Sequence, residues 1–389
     1  MKYFLTLLLF FVFVAVHAQS LTVIDQDYKK AQQAAKAENK LIYVDFYTDW
    51  CGPCKKLDKL VFQNDSIKEI LAKDIVLLKY NAENDSIFHL SKKHHVFSYP
   101  MAVLLNKEGY LIERMYAYEG ESFESMSGSV TGFVDQSVKL DKEKKYLAGY
   151  SAQIDPSVYP DFYANFMERT DTKVDSAEVN DYLSSTTEVL SEQYFSTLLC
   201  FYDELNDQNA ERVLQRKDEY VTLYGDGDVS TLIYLIASGK FVRAISENNS
   251  AKYDQAVDFA NQALSPESVE EIVASFEIEY LKGQDKWDEV LELYMKMKEA
   301  GEMDNGYINY FSYGVYENCD DQNVIKTCLE WMKNVVEDEP SFDYLDTYAF
   351  LLYKAGNKQL AKEITSQAIA VGRQEDRKTG GLEKLLEKL

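Results

Sequence analysis

Apolar positions fall into two regimes along the chain: short strand-like runs alternate with helical periodicity up to about residue 140, and only helical periodicity continues beyond it. Residues 25–39 are rich in helix formers, with Asp25 or Asp27 placed to cap the start, so a helix is expected before the first strand. Leu41 to Tyr47 is a β-branched and aromatic run, apolar throughout except for Asp45. That pattern predicts a strand buried on both faces. Leu57, Leu60, Val61, Ile67, Ile70 and Leu71 recur at helical spacing, and Ile75 to Tyr80 predicts a second buried strand. A short helical segment at residues 85–93 leads to Tyr99-Pro100. Met101 to Asn106 and Tyr110 to Tyr116, joined by Lys107-Glu108-Gly109, predict a hairpin, and residues 121–139 a closing helix. Together these elements predict an α/β domain over residues 19–140, a central mixed sheet flanked by helices.

At the N-terminus, Lys2 precedes an apolar run from Phe4 to Val16, and Val16-His17-Ala18 precedes polar Gln19-Ser20. This is the layout of a secretory signal peptide over residues 1–18, with the mature chain starting near Gln19. The run is shorter than the roughly 20 residues a membrane helix needs, and no other segment reads as a permanent membrane span. Export is therefore expected, to a periplasmic or extracellular compartment.

From Asp141 onward strand patterns vanish. Ala256 and Val290 are 34 residues apart, the same shift reaches Val324, and Ala361 follows 37 further on. A recurrence of this length signals stacked helical units. In the last unit Leu345, Tyr348, Ala349, Leu352, Tyr353 and Gly356 precede Ala361 and Ala368, and this helix–turn–helix pattern resembles a tetratricopeptide repeat. The expected layout is an all-α repeat region at 251–389, preceded at 141–250 by helices without a period.

Charge separates the same two regions. Residues 19–140 carry 17 acids and 15 bases, whereas the rest of the chain, Lys2 aside, carries 48 acids and 25 bases, within a total net charge of −24. An acidic surface repels phosphate backbones, so nucleic acid is not an expected partner.

Five cysteines are too few for a disulfide-stapled scaffold, and only Cys51 and Cys54 are closely spaced. They sit in Trp50-Cys51-Gly52-Pro53-Cys54, directly after the first predicted strand. Cys51 at a helix N-terminus faces unpaired N–H groups that stabilise a thiolate. Two intervening residues bring Cys54 within reach, so it can resolve a mixed disulfide formed on Cys51. Pro53 sets the first helical turn, and Gly52 leaves the approach to Cys51 open. Half of a zinc site and an inert structural disulfide are the competing readings. Zinc needs four ligands, and the other thiols and histidines form no second close pair, so no metal is expected. Cys200 lies in an apolar helical stretch and is expected to be a small buried thiol. Cys319 and Cys328 either bridge paired helices or pack in a core, and His89, His94 and His95 read as polar helix or loop residues.

Val44-Asp45-Phe46-Tyr47-Thr48-Asp49-Trp50-Cys51-Gly52-Pro53-Cys54-Lys55-Lys56 resembles the active-site strand and helix start of the thioredoxin family, over roughly residues 25–140. With Ala37-Glu38-Asn39-Lys40 before the strand and Leu57 to Phe62 after the motif, it is most similar to exported members, including the C-terminal domains of periplasmic thiol:disulfide interchange reductases. The resemblance implies a thioredoxin fold whose only redox centre is Cys51–Cys54, without a further cofactor. It implies that Asp45 is the buried acid assisting proton transfer at Cys54, which a raised pKa would suit. It also implies that Pro100 is the cis-proline beside the disulfide, with Tyr99 before it where an extended substrate pairs. Many members have Ile or Thr before that proline and Thr after it, whereas this chain has Tyr99 and Met101. Trp50 is expected to shield the sulfurs and offer apolar contact to substrates.

The expected function is thiol–disulfide exchange, of protein-disulfide reductase type, with cysteine-containing envelope or secreted proteins. A redox partner recycles the dithiol and the helical tail selects partners. The alternatives are a repeat-based adaptor in which the thioredoxin-like domain only docks, and an oxidative folding factor with chaperone-like binding.

Overall fold

Apolar residues dominate five short segments that form strands: β1 (Val23–Asp25), β2 (Leu41–Tyr47), β3 (Ile75–Asn81), β4 (Met101–Leu105) and β5 (Leu111–Met115). They form one sheet of order β1-β3-β2-β4-β5. β2 runs parallel to β3 and antiparallel to β4, so the sheet is mixed, and β2 is buried from Leu41 to Phe46 because it has a strand on either side and helices on both faces. The structure, a computed structural model, describes residues 20–116, 118, 120 and 122–389. The signal-peptide segment at 1–18 lies outside these residues.

Helices complete a thioredoxin fold around the sheet: α1 (Tyr28–Glu38), α2 (Gly52–Leu57), α3 (Asp65–Leu71), α4 (Leu90–Lys93) and α5 (Phe123–Lys142). Asp27 caps α1 by accepting from the Lys30 N–H at 2.9 Å, one of the two caps expected. The helical run after the cysteines is not continuous. α2 passes into a π-helical turn at Asp58–Phe62, and Asn64 caps a new start for α3, accepting from Ile67 N–H at 3.2 Å. Of the apolar positions expected on one helix, Leu57, Val61, Ile67 and Leu71 are buried whereas Ile70 is 44% exposed. β1 is an addition to the expected order. Three residues are too short to show a period, and β1 exists by parallel pairing with β3.

Six more helices follow: α6 (Asp161–Glu168), α7 (Ser176–Ser185), α8 (Glu192–Cys200), α9 (Asp207–Gln215), α10 (Lys217–Tyr224) and α11 (Asp226–Ser246). Up to Gly239 they form one compact unit with the sheet. The segment from α4 to His95 is the seam. Lys92 pairs with Glu168, Lys93 pairs with Glu192, and Tyr163 donates its hydroxyl to the Lys92 carbonyl at 2.6 Å. His94 and His95 are buried at 2% and 0% exposure, which corrects the expectation of polar loop residues. Burial depresses the pKa of both, and the neighbouring Arg114 and Lys93 charges add to it.

Among the described residues one helix, α11, is long and apolar enough by length and composition to cross a membrane, which corrects the expectation that no segment after the N-terminus is. Its Asp228 is 5% exposed and bound to Arg114, and Val229, Leu232, Ile233, Ile236 and Ala237 are buried in the protein. These contacts bury one face of the helix in the protein.

From Lys240 a second unit is helical throughout: α12 (Ser250–Ala263), α13 (Pro266–Gly283), α14 (Trp287–Glu299), α15 (Asn305–Asn318), α16 (Gln322–Asp338), α17 (Phe342–Lys354), α18 (Lys358–Gln374) and α19 (Gly380–Lys388). The recurring positions Ala256, Val290, Val324 and Ala361 lie in the first half of α12, α14, α16 and α18, and each is fully buried. Alternate helices thus present equivalent side chains to the interior. Gly356, at φ +78°, turns α17 into α18. At Gly372 a Cβ would come within 2.5 Å of the Phe342 ring, so the absent side chain sets how closely these two helices approach. Cys319 and Cys328 are free thiols buried in this core, as is Cys200 in the first unit.

Candidate active site

β2 ends at Tyr47, and the chain turns through Thr48 to Trp50 to start α2. Cys51 is the residue before the helix, and its Sγ accepts from the Cys54 backbone N–H at 3.1 Å. The two cysteines are joined by a disulfide, with Cα atoms 5.3 Å apart. Their exposures are 3% and 6%, so a partner must approach closely to touch sulfur. Pro53 occupies the first helical turn, where its missing N–H costs nothing. A Cβ at Gly52 would meet no atom within 4 Å. Gly52 therefore leaves open space beside the disulfide rather than relieving a clash.

Asp45 lies on β2 and is 3% exposed. Burial pushes its carboxyl up to about 7, the Lys79 charge opposes that shift, and Asp58 adds to it. Parallel pairing of β2 with β3 sets Lys79 directly opposite Asp45, and the Lys79 ammonium is itself paired with Asp58. None of the described residues donates a hydrogen bond to Asp45 Oδ1. A carboxyl poised near neutrality can take or return a proton at ordinary pH.

The Tyr99–Pro100 peptide is cis. Tyr99 and Pro100 line a cavity of 470 Å³ together with Gly52, Pro53, Tyr116 and Tyr118, so the disulfide turn and the proline loop share one groove. Trp50 is 62% exposed, meets the Tyr99 ring edge to face at a centroid distance of 5.9 Å, and donates its indole N–H to Glu83 at 2.9 Å. Cys51, Cys54, Trp50, Gly52, Pro53, Tyr99 and Pro100 are thereby gathered at one end of the sheet, with Asp45 in the strand beneath.

Sequence reasoning did not single out Asp58, Lys79, Glu83, Tyr116, Tyr118 or Arg169, which all bear on this site. Lys79 had a usable signal, being the one charge in an otherwise apolar strand run. Tyr118 lines the groove and shares a 2.9 Å hydrogen bond with the buried Tyr43 hydroxyl. Arg169 comes from the end of α6 and lies over both Trp50 and Tyr99, a placement no local pattern signals. Among the described residues no cluster of His, Cys, Asp and Glu is arranged to hold a metal ion.

Residues 23–107 match a family model described as thioredoxin-like. Over 106 residues the chain is 32% identical to the thiol:disulfide interchange protein DsbD of Salmonella typhimurium, a match covering 27% of this chain and 16% of that protein. Over 87 residues it is 39% identical to Thioredoxin-T of Drosophila melanogaster, covering 21% of this chain and 48% of that one. A solved chain described as DsbH oxidoreductase is 20% identical with a TM-score of 0.25, over 31% of this chain and 88% of that one. The chain thus spans under half the length of these two curated relatives, and the likeness lies in its first part.

Proposed function

We propose, from a chain whose first part is a thioredoxin-like domain, that this protein is an exported thiol–disulfide oxidoreductase acting on cysteines of envelope or secreted proteins. The observation that carries the reading is the buried Cys51–Cys54 pair at a helix start, above an acid whose carboxyl titrates near neutrality.

In the reductive direction, the Cys51 thiolate attacks one sulfur of a substrate disulfide and expels the other as a thiolate, leaving a mixed disulfide on Cys51. Asp45 takes the Cys54 proton. The Cys54 thiolate then attacks Cys51 Sγ, releasing the second substrate sulfur as a thiolate. The substrate is reduced by two electrons, and Cys51–Cys54 is the oxidised product. Backbone beside Pro100 and the Trp50 and Tyr99 rings hold the substrate segment. A separate redox partner returns the pair to the dithiol. The domain division follows the same reading: a signal segment at 1–18, the catalytic domain at 19–140, and helical regions at 141–250 and 251–389, the latter of tetratricopeptide type, that choose which proteins reach the disulfide.

Equilibration of the full chain with glutathione buffers tests the activity. A reversible two-electron transition of Cys51–Cys54 is expected, and its midpoint gives the direction of transfer. A Cys54→Ser variant expressed in the native host should carry proteins covalently on Cys51, releasable by reductant. Failure to equilibrate, together with an empty trap, would leave the adaptor reading in its place.

A further inference from the structure

Arg169 lies beyond the thioredoxin-like domain in the chain, immediately after α6, in left-handed conformation with φ 58°. Its guanidinium carbon is 5.7 Å from the ring centroids of both Trp50 and Tyr99. Nη2 donates to the Tyr99 hydroxyl at 3.2 Å, and Nη1 is 3.6 Å from Glu83 Oε1, the oxygen that also accepts the Trp50 indole N–H. Four residues from four separate chain segments thus close a ring of contacts beside the disulfide. The neighbouring Glu168 is paired with Lys92, only seven residues before Tyr99, so the end of α6 is held at two consecutive positions.

We propose that Arg169 is a positioning residue for thiol exchange: it locks Trp50 and Tyr99 into one arrangement, so that the end of α6 fixes, from behind, the Tyr99 ring that lines the substrate groove. An indole 62% exposed has little packing of its own to hold it. The planar guanidinium lies against the two rings while its separate N–H groups reach Tyr99 and Glu83, a combination a lysine cannot reproduce. Besides Tyr99, the groove is lined by Pro100, Tyr116, Tyr118 and Met126, with Lys56 its one charged side chain. It suits extended protein segments that present an apolar side chain next to the reacting cysteine. Holding Tyr99 and the neighbouring Trp50 in place beforehand lowers the ordering cost of binding such a segment. The inference rests on the exchange activity proposed above and adds the class of substrate and the element that selects it.

The test uses the full-length chain and two disulfide-bonded peptides that differ only in having Leu or Ser beside the cysteine. Arg169→Ala is expected to raise KM for the Leu peptide by about fivefold to tenfold, to change kcat by less than about twofold, and to shrink the preference for Leu over Ser. Trp50 emission, isolated by subtracting a Trp50→Phe variant, becomes more readily quenched by acrylamide. Arg169→Lys falls between Arg169→Ala and the parent. Glu83→Gln loosens the same ring while keeping the arginine itself, by removing its ion pair, and shifts KM in the same direction, which keeps the proposal open to refutation even if Arg169→Ala fails to fold. Unchanged KM and unchanged quenching in the variants would overturn the positioning role. A parent protein that does not equilibrate with glutathione would instead overturn the exchange activity, so the two failures are distinct.

Discussion

Arg114 on β5 and Asp228 on α11 meet at 3.2 Å between Nε and Oδ2, with side-chain exposures of 1% and 5%. The same carboxylate accepts the hydroxyls of Tyr116 and Tyr150, each at 3.1 Å. Removing one member of such a buried pair strands a charge, at a cost of about 3–5 kcal/mol. Asp228→Ala should therefore destabilise the first unit by that amount, whereas Arg114→Met combined with Asp228→Leu should recover much of the loss. Hydrogen exchange of peptides covering 90–116 and 226–239 would read the effect within the full chain.

Asp45 imposes a pH dependence of definite sign. Its folded pKa of about 7 lies above the unfolded value of about 3.9, so between those values the native state holds a proton that the unfolded chain has released. Stability contributed by this group is complete below about pH 4, declines as pH rises to 7, and is then level. At pH 8, Asp45→Asn should be more stable than the parent by as much as about 4 kcal/mol, with the gap closing near pH 4. Denaturant midpoints across pH 4–8 check the sign. The same variant should resolve mixed disulfides about tenfold or more slowly, if Asp45 accepts the Cys54 proton.

His94 and His95 act the other way. Their pKa values are depressed in the fold, first by burial and then by Arg114, so the unfolded chain takes up protons that the native state refuses. Stability from these groups is present above about pH 6.5 and lost as pH falls below it. In an Asp45→Asn background, where the opposing carboxyl is silent, replacing His95 by Phe should flatten the loss between pH 6.5 and 5 by about 2 kcal/mol.

Gly149 lies where a Cβ would come within 2.3 Å of the Tyr224 ring. That ring cannot withdraw, being stacked on Phe195 at 3.8 Å and tied by its hydroxyl to the Leu190 carbonyl at 2.8 Å. Gly149→Ala should cost about 1–3 kcal/mol, visible as a lower Tm of the first unit.

Much of the sheet could be read ahead of the structure because its signals are local. Leu41 to Tyr47 and Ile75 to Tyr80 are apolar runs of strand length, and Lys107-Glu108-Gly109 marks a hairpin, so β2 to β5 were all expected. β1 was not, since three residues carry no pattern and the strand exists only through pairing with β3. Nor was the break before α3, where Ile70 keeps the helical spacing of its neighbours yet points outward.

The cysteine motif belongs to the same legible class. Its spacing and its position after an apolar strand are adjacent in the chain, and the 34-residue recurrence in the tail needs only counting to find. What tertiary structure alone decided are the relations between distant segments: Lys79 set opposite Asp45 by strand register, His94 and His95 buried against Phe46 and Tyr150, and Arg169 laid over Trp50 and Tyr99. Hydrophobic periodicity records which face of a segment is buried but not what buries it. That choice is made when the chain packs, by shape and charge pairings that leave no trace in the spacing of residues along one strand or helix.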